Sequence, residues 1–123
     1  MKYIKTYHII KESLTTKDEV LLFMYIREGR GRYMDIRELI NNGVNVNCQD
    51  GNGYTPLIWA ADKGNMIAMI DLINTDADWT IKSNFGNDFI DSLNHIHKEM
   101  IINKFPEKYQ EYITKKDAEK YNL

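Results

Sequence analysis

The apolar positions of this chain recur with a period of 33 residues. After Gly31, apolar residues stand at offsets of +2, +5, +8 and +9, and the same four offsets follow Gly64. Each set places one apolar stripe along a helix. Two equivalent helices in successive units predict a repeat protein, because each unit must bury its apolar face against a neighbour. The two sets are Tyr33, Ile36, Leu39, Ile40 and Met66, Met69, Leu72, Ile73.

The middle unit carries local signals for two helices joined by a turn. Residues 50–53 read Asp-Gly-Asn-Gly, two turn dipeptides, because Gly and Asn adopt positive φ at little cost. Thr55 can cap a helix that has Pro56 at its first position, where the missing N–H costs nothing. Gly64 is expected to end this helix as a left-handed residue, and a second helix is predicted over roughly Met66–Asn74.

The segment DGNGYTPLIWAADKGNMIAMIDLINTDADWTIK, residues 50–82, resembles the ankyrin repeat. Ile58 replaces the usual His of that motif, and Asp76 replaces its closing Gly. The preceding NNGVNVN, residues 41–47, is similar to the closing turn. The resemblance implies an all-α fold, a short ankyrin-repeat solenoid of two to three helix–turn–helix repeats with helical N- and C-terminal caps. The matching residues are Asp50, Gly53, Thr55, Pro56, Leu57, Ala60, Ala61 and Gly64.

The period divides the chain, read as one domain over residues 1–123, into four parts. An N-terminal extension covers 1–16, repeat 1 covers 17–49, repeat 2 covers 50–82, and a degenerate third repeat with the C-terminal cap covers 83–123. Thr16 and Glu19 have the spacing of a capping box, which predicts a helix from Lys17 to about Glu28. Arg27 and Glu28 are expected to occupy the places of the paired alanines, as in an end repeat with one solvated face.

The third unit departs from the motif. Asp88 and Phe89 stand where the motif has Thr-Pro, and His97 replaces the glycine that ends the first helix. We therefore expect the two helices of this unit either to merge or to pack differently. Pro106 should stop the second helix, and a final amphipathic helix is predicted from Glu107 to about Lys120. Its apolar side would use Tyr109, Tyr112 and Ile113.

Composition favours a soluble cytoplasmic protein without a membrane segment. Cys48 is the single cysteine, so no disulfide can form within the chain, and a reducing compartment fits. The N-terminal MKYIKTYHIIKE has apolar runs of only two residues, which argues against a signal peptide. No run of the sequence approaches the roughly 20 apolar residues of a membrane span.

The net charge of −2 is unevenly distributed. Residues 50–91 hold seven aspartates against two lysines, a sum of −5, whereas residues 1–17 sum to +3. An acidic centre would repel nucleic-acid phosphates and attract a basic partner. The alternative is a solvated surface with no preference for any partner.

Motifs for metal or catalytic chemistry are incomplete. The stretch from Asp50 resembles a calcium loop, but Thr55 and Ala61 stand where that loop needs Gly and Glu. Asp91 and His95 are four residues apart, but two ligands do not make a metal site. Gly29-Arg30-Gly31-Arg32-Tyr33 is similar to an RNA-binding segment, yet a helix–helix turn explains its glycines. We predict no enzymatic activity, no cofactor, no metal and no small-molecule substrate.

The family resemblance implies that hairpin tips and first-helix faces hold a partner protein. For Trp59 the alternative is a place in the core between repeats, and for Phe85 it is packing under the cap. Trp79 stands where the family has a packed Val and is assigned to the core. The candidate partner-binding residues are Arg30, Asn52, Tyr54, Trp59, Asp62, Lys63, Asn84, Phe85, Asn87 and His95.

These observations predict a non-enzymatic protein–protein interaction module, monomeric when free, that binds and inhibits one partner. A bacterial immunity protein that neutralises a toxin is one example. The alternative is an ankyrin adaptor or effector of a pathogen or virus that targets a host protein. A nucleic-acid-associated or enzymatic accessory protein is the third class and finds the least support.

Overall fold

The computed structural model describes residues 16–29 and 31–121, and the regular structure in this part of the chain is helical. The helices are α1 Lys17–Glu28, α2 Tyr33–Asn41, α3 Pro56–Asp62, α4 Met66–Asn74, α5 Phe89–Ser92, α6 His95–Lys104 and α7 Pro106–Lys120. In the first two units the paired helices pack on each other, α1 on α2 and α3 on α4, and between neighbouring units α1 packs on α3, α2 on α4 and α3 on α5. This arrangement confirms the predicted all-α solenoid of stacked helices.

The helix ends of the middle unit lie where the local signals predict them. Thr55 Oγ1 accepts a hydrogen bond of 3.1 Å from the N–H of Ile58, and Pro56 begins α3. Gly64 has φ +66°, which turns the chain out of α3. Asn65 then caps α4 through its side-chain oxygen. Each end is thus set by a residue within the unit.

One hydrophobic core runs through the stacked units. Burying a side chain of leucine or isoleucine size stabilises the fold by roughly 1.5–3 kcal/mol, so these contacts between units hold the stack together. Trp79 belongs to this core, because it is 5% exposed and its ring centroid lies 5.2 Å from that of Phe89. The core includes Leu22, Ile26, Ile36, Leu57, Ala60, Ala61, Met69, Leu72, Ile73 and Ile101.

The first helix is shifted by two residues against the period of 33. Leu22 and Ile26 are fully buried, and Gly29 at φ +79° ends α1 by donating its N–H to the carbonyl groups of the last turn. Arg27 and Glu28 are exposed and follow the buried residues instead of replacing the alanines, so that part of the prediction is wrong. The counterparts, 35 residues later, are Leu57, Ala61 and Gly64.

The helices of the third unit remain separate. Leu93 has ψ 142° and breaks the helical path, and the side chain of Asn94 caps α6. His97 therefore lies in the first turn of α6 and does not end a helix. Asp88 caps α5 at the position where Thr55 caps α3 in the middle unit. The two helices of this unit therefore do not merge, and of the two expectations only different packing is confirmed.

The C-terminal helix α7 closes the end of the stack, as predicted for a cap. It begins at Pro106, and its side chain Tyr112 is buried against Trp79. Lys108 forms an ion pair of 2.8 Å with Asp76, which joins α7 to the closing turn of the middle unit. The predicted N-terminal extension, residues 1–16, lies outside the described residues except for Thr16, and the unit boundaries stay predictions.

Candidate functional site

The hairpin turns of the middle and third units have the same geometry and contact each other. Each hairpin is closed by a backbone hydrogen bond. The N–H of residue 50 donates to the carbonyl oxygen of residue 54 at 3.0 Å, and the N–H of residue 83 donates to that of residue 87 at 2.8 Å. The N–H of Asn84 donates to the carbonyl oxygen of Asn52 at 2.9 Å, and its side-chain amide donates to that of Gly51 at 3.2 Å. The two tips therefore form one continuous edge of the molecule.

Gly53 allows this close approach. It has φ +77°, and a Cβ at this position would lie 2.7 Å from the backbone nitrogen of Asn84. No side chain fits at such a distance, so the glycine is needed both for the turn and for stacking of the next tip.

Trp59, on α3, is held at the base of the middle hairpin. Its indole N–H donates to Asp50 Oδ2 at 2.8 Å, and its ring centroid lies 4.9 Å from that of Tyr54. The ring is half-buried, and it packs on the buried side chains of Phe23 and Cys48 as well as on the main core. Trp59 thus combines both alternatives, since it contacts the core and also borders the surface.

Three aromatic side chains, Trp59, Tyr54 and Phe85, form a line that we call the aromatic row. The centroids of Tyr54 and Phe85 are 6.3 Å apart. Phe85 is 69% exposed, so it projects from the third hairpin and does not pack under the cap. Aromatic side chains are enriched among interface anchors, and Phe85 is continuous with two further aromatic rings, so the aromatic row is the candidate interaction site.

Two cations lie against the Trp59 end of the aromatic row. The guanidinium carbon of Arg27 is 5.0 Å from the Trp59 ring centroid, and the Lys63 ammonium is 5.7 Å from it. With Met24 and Glu28 they line one shallow depression. The sequence prediction included Lys63 but missed Arg27, because the two-residue shift of α1 was not recognised. Arg30, the predicted member from the first unit, lies outside the described residues.

Most of the remaining predicted residues lie at the hairpin turns or at the end of α3, whereas His95 lies on α6. Asp62 ends α3 and is exposed, and the predicted asparagines lie at the exposed hairpin turns. His95, in contrast, is the first residue of α6, beyond the break at Leu93, with its side chain 85% exposed and 3.8 Å from Glu99. It is therefore not on the first helix of its unit, where the prediction placed it. The asparagines are Asn52, Asn84 and Asn87.

Most carboxylates of the acidic centre are used inside the fold. Six of the seven aspartates in residues 50–91 accept a hydrogen bond or form an ion pair, and Asp62 is the exception in this described range. The Lys108 ammonium also holds the pKa of the Asp76 carboxyl below its usual value. Three of these carboxylates, those of Asp71, Asp76 and Asp88, are paired with a cation, which compensates part of the net −5 of this stretch. The six are Asp50, Asp71, Asp76, Asp78, Asp88 and Asp91.

Other reactive groups offer little chemistry. Burial, followed by the charge of Glu19, raises the pKa of the Cys48 thiol to about 12, so this thiol is protonated at neutral pH. Across residues 16–29 and 31–121, no group of three or more metal-binding side chains comes together. In the same part of the chain, no helix has the length and apolar character needed to cross a membrane.

Comparison with known proteins agrees with this architecture. A family model described as ankyrin repeats in many copies matches residues 22–73. The 26S proteasome non-ATPase regulatory subunit 10 of Dictyostelium discoideum is 33% identical over 76 residues, which covers 54% of this chain and 31% of that protein. The chain thus spans about a third of the length of this relative. Together with the helix pairs stacked as described, these matches support the ankyrin-repeat resemblance, and the family match lies on residues 22–73.

Proposed function

We propose that this protein is a non-enzymatic module that holds one partner protein on the aromatic row. Ankyrin repeats indicate protein–protein interaction in general. The observation that supports this particular surface is Phe85, 69% exposed at a hairpin tip and linked through Tyr54 to the half-buried Trp59. Aromatic side chains on a rigid scaffold lose little conformational entropy on binding, so they act as anchors.

Inhibition of the partner is the form of this function that we favour. A rigid row that spans two hairpins and a helix can cover the working surface of another protein, as an immunity protein covers a toxin. The relative is named as a regulatory, non-ATPase subunit, which supports regulation by binding and not by catalysis. The alternative remains an adaptor or effector that acts on a host protein. In both cases we propose a cytoplasmic protein that is monomeric when free.

The test of the proposed surface is capture of a partner with matched aromatic variants. Tagged wild-type protein, Phe85→Ala and Tyr121→Ala are used as baits in the native cell, and captured proteins are identified by mass spectrometry. Tyr121 is a fair control because it is 63% exposed and lies outside the aromatic row. We expect one protein that Phe85→Ala loses and Tyr121→Ala keeps, with the helical circular dichroism of both unchanged.

The affinity for the purified partner then tests the aromatic row, and the identity of the captured protein distinguishes the two forms of the function. The Phe85→Ala variant should bind the purified partner at least tenfold more weakly, the size of an interface hot spot. Equal capture by all three baits would show that the aromatic row is not the site. A captured toxin encoded by the neighbouring gene favours the immunity function, whereas a host protein favours the adaptor or effector.

A further inference from the structure

Two cations, Arg27 and Lys63, lie together at the Trp59 end of the aromatic row. Arg27 and Lys63 both lie within 6 Å of one ring centroid, and both line the same depression. In the described part of the chain, neither forms an ion pair. Arg32, by comparison, is neutralised by Glu28 at 2.7 Å and by Asp35 at 3.3 Å.

The nearest acidic groups do not compensate Arg27 and Lys63. Glu28 lines the same depression, but its carboxylate is bonded to Arg32. Asp50 lies under Trp59, where it accepts the indole N–H. Asp62 at the end of α3 is exposed and forms no ion pair with a described residue. Neither Glu28 nor Asp50 is bonded to the two cations, so the donor groups of Arg27 and Lys63 are open to an incoming carboxylate.

We propose that Arg27, Lys63 and the aromatic row together bind an acidic segment of the partner, in which a carboxylate lies next to an aromatic or aliphatic side chain. This inference rests on the proposed function and names the chemistry of its partner. An arginine fork binds a carboxylate through two parallel hydrogen bonds. Met24, 47% exposed in the depression, and Phe85 offer apolar contact on either side of the cations.

The inference reverses the sign of the partner that composition alone favours. A basic partner is expected from the net charge of residues 50–91, yet six of those seven aspartates are engaged within the fold. At the Trp59 end of the aromatic row a partner meets these two cations, neither of which has an ion-pair partner among the described residues. Complementary charge would speed association and select the partner.

The test uses selection from a random library of 12-residue peptides displayed on phage, with the full chain as bait. Selected peptides are synthesised, and their affinities are measured by fluorescence polarisation. The charge variant is Arg27→Glu with Lys63→Glu. Its matched control is Lys104→Glu with Lys120→Glu, which makes the same change in net charge at two lysines that also lie against aromatic rings, 5.8 and 5.4 Å from their centroids.

We expect the selected peptides to carry Asp or Glu beside Phe, Trp or Leu. Their binding should fall at least tenfold in the charge variant and less than twofold in the control. The difference should shrink as salt is raised, because exposed charges are screened. If the Glu substitutions disturb the circular dichroism, Arg27→Gln with Lys63→Gln replaces them, with a loss of at least threefold expected.

The outcomes separate this inference from the proposed function. Peptides that lose affinity in Phe85→Ala but bind the charge variant and the control equally would overturn the acidic segment and leave the aromatic row standing. Peptides rich in Lys or Arg would overturn it as well. A selection that yields no peptide dependent on Phe85 would overturn both proposals.

Discussion

The buried carboxylate of Asp88 should be a main determinant of stability at the C-terminal end. It is 0% exposed, and its two oxygens serve different elements. One accepts the N–H of Asp91 at 3.0 Å, which caps α5. The other accepts the hydroxyl of Tyr112 at 2.8 Å and lies 3.4 Å from the Lys116 ammonium, both on α7.

The cost of Asp88→Ala follows from these contacts. Loss of a helix cap costs about 1 kcal/mol. The buried Tyr112 hydroxyl would also lose its acceptor, which costs about 1–3 kcal/mol. We therefore expect a total of about 3 kcal/mol, and a melting temperature lower by about 10 °C for a chain of this size. Tyr112→Phe removes only the shared hydrogen bond and should cost about 1.5–2 kcal/mol, since the acceptor is charged.

The assay is urea unfolding followed by helical circular dichroism for the wild type, both single variants and the double variant. Because Asp88 and Tyr112 share one hydrogen bond, the double variant should cost less than the two single losses together, by about 1–2 kcal/mol. Losses that add to within about 0.5 kcal/mol would refute the view that this bond couples α5 to α7.

Three further outcomes are expected. Gly53→Ala should destabilise the fold by about 2 kcal/mol or more, because its Cβ would meet Asn84 at 2.7 Å. The control Gly86→Ala, with a similar φ but open space around it, should cost only about 1 kcal/mol. Equal losses of stability would show that the approach of Asn84 to residue 53 does not matter. Cys48, with its pKa raised to about 12, should react with iodoacetamide at pH 8 more than a hundredfold slower in the native chain than in urea, and similar rates would show an open thiol. Burial, and next the Asp88 carboxylate, raise the pKa of the Tyr112 hydroxyl above its ordinary value of about 10. Folding therefore favours the neutral form of Tyr112. The resulting contribution to the free energy of unfolding is present below about pH 10 and is lost above it, because the unfolded chain then ionises. Urea midpoints between pH 8 and 11 should fall more steeply for the wild type than for Tyr112→Phe, and parallel curves would argue against this.

The sequence by itself determined the helical unit of residues 50–82. Its signals are local: Thr55 as cap, Pro56 at the first helical position and Gly64 at positive φ act within a few residues of where they stand. The apolar offsets after Gly31 and Gly64 likewise specified α2 and α4. A stripe of apolar residues predicts a helix whatever it packs against, so these parts needed no tertiary information.

The register of α1 could not be settled in this way. Gly29 and Gly31 both have positive φ, and either can be aligned with Gly64 on local grounds. Only the burial of Leu22 and Ile26 shows that Gly29 is the equivalent glycine and that the turn is longer. Burial depends on which face meets the next unit, and the pattern within one helix does not contain that information.

The candidate site was decided mainly by contacts between units. The sequence selected Tyr54, Trp59 and Phe85, but only the stacked structure shows that Phe85 projects outward and that Arg27 lies on Trp59. Three aspartates of the centre are paired with residues more than 20 positions away: Asp71 with Arg37, Asp76 with Lys108 and Asp88 with Tyr112. Composition counts such charges without knowing their partners, so tertiary structure alone determined which charge reaches the surface.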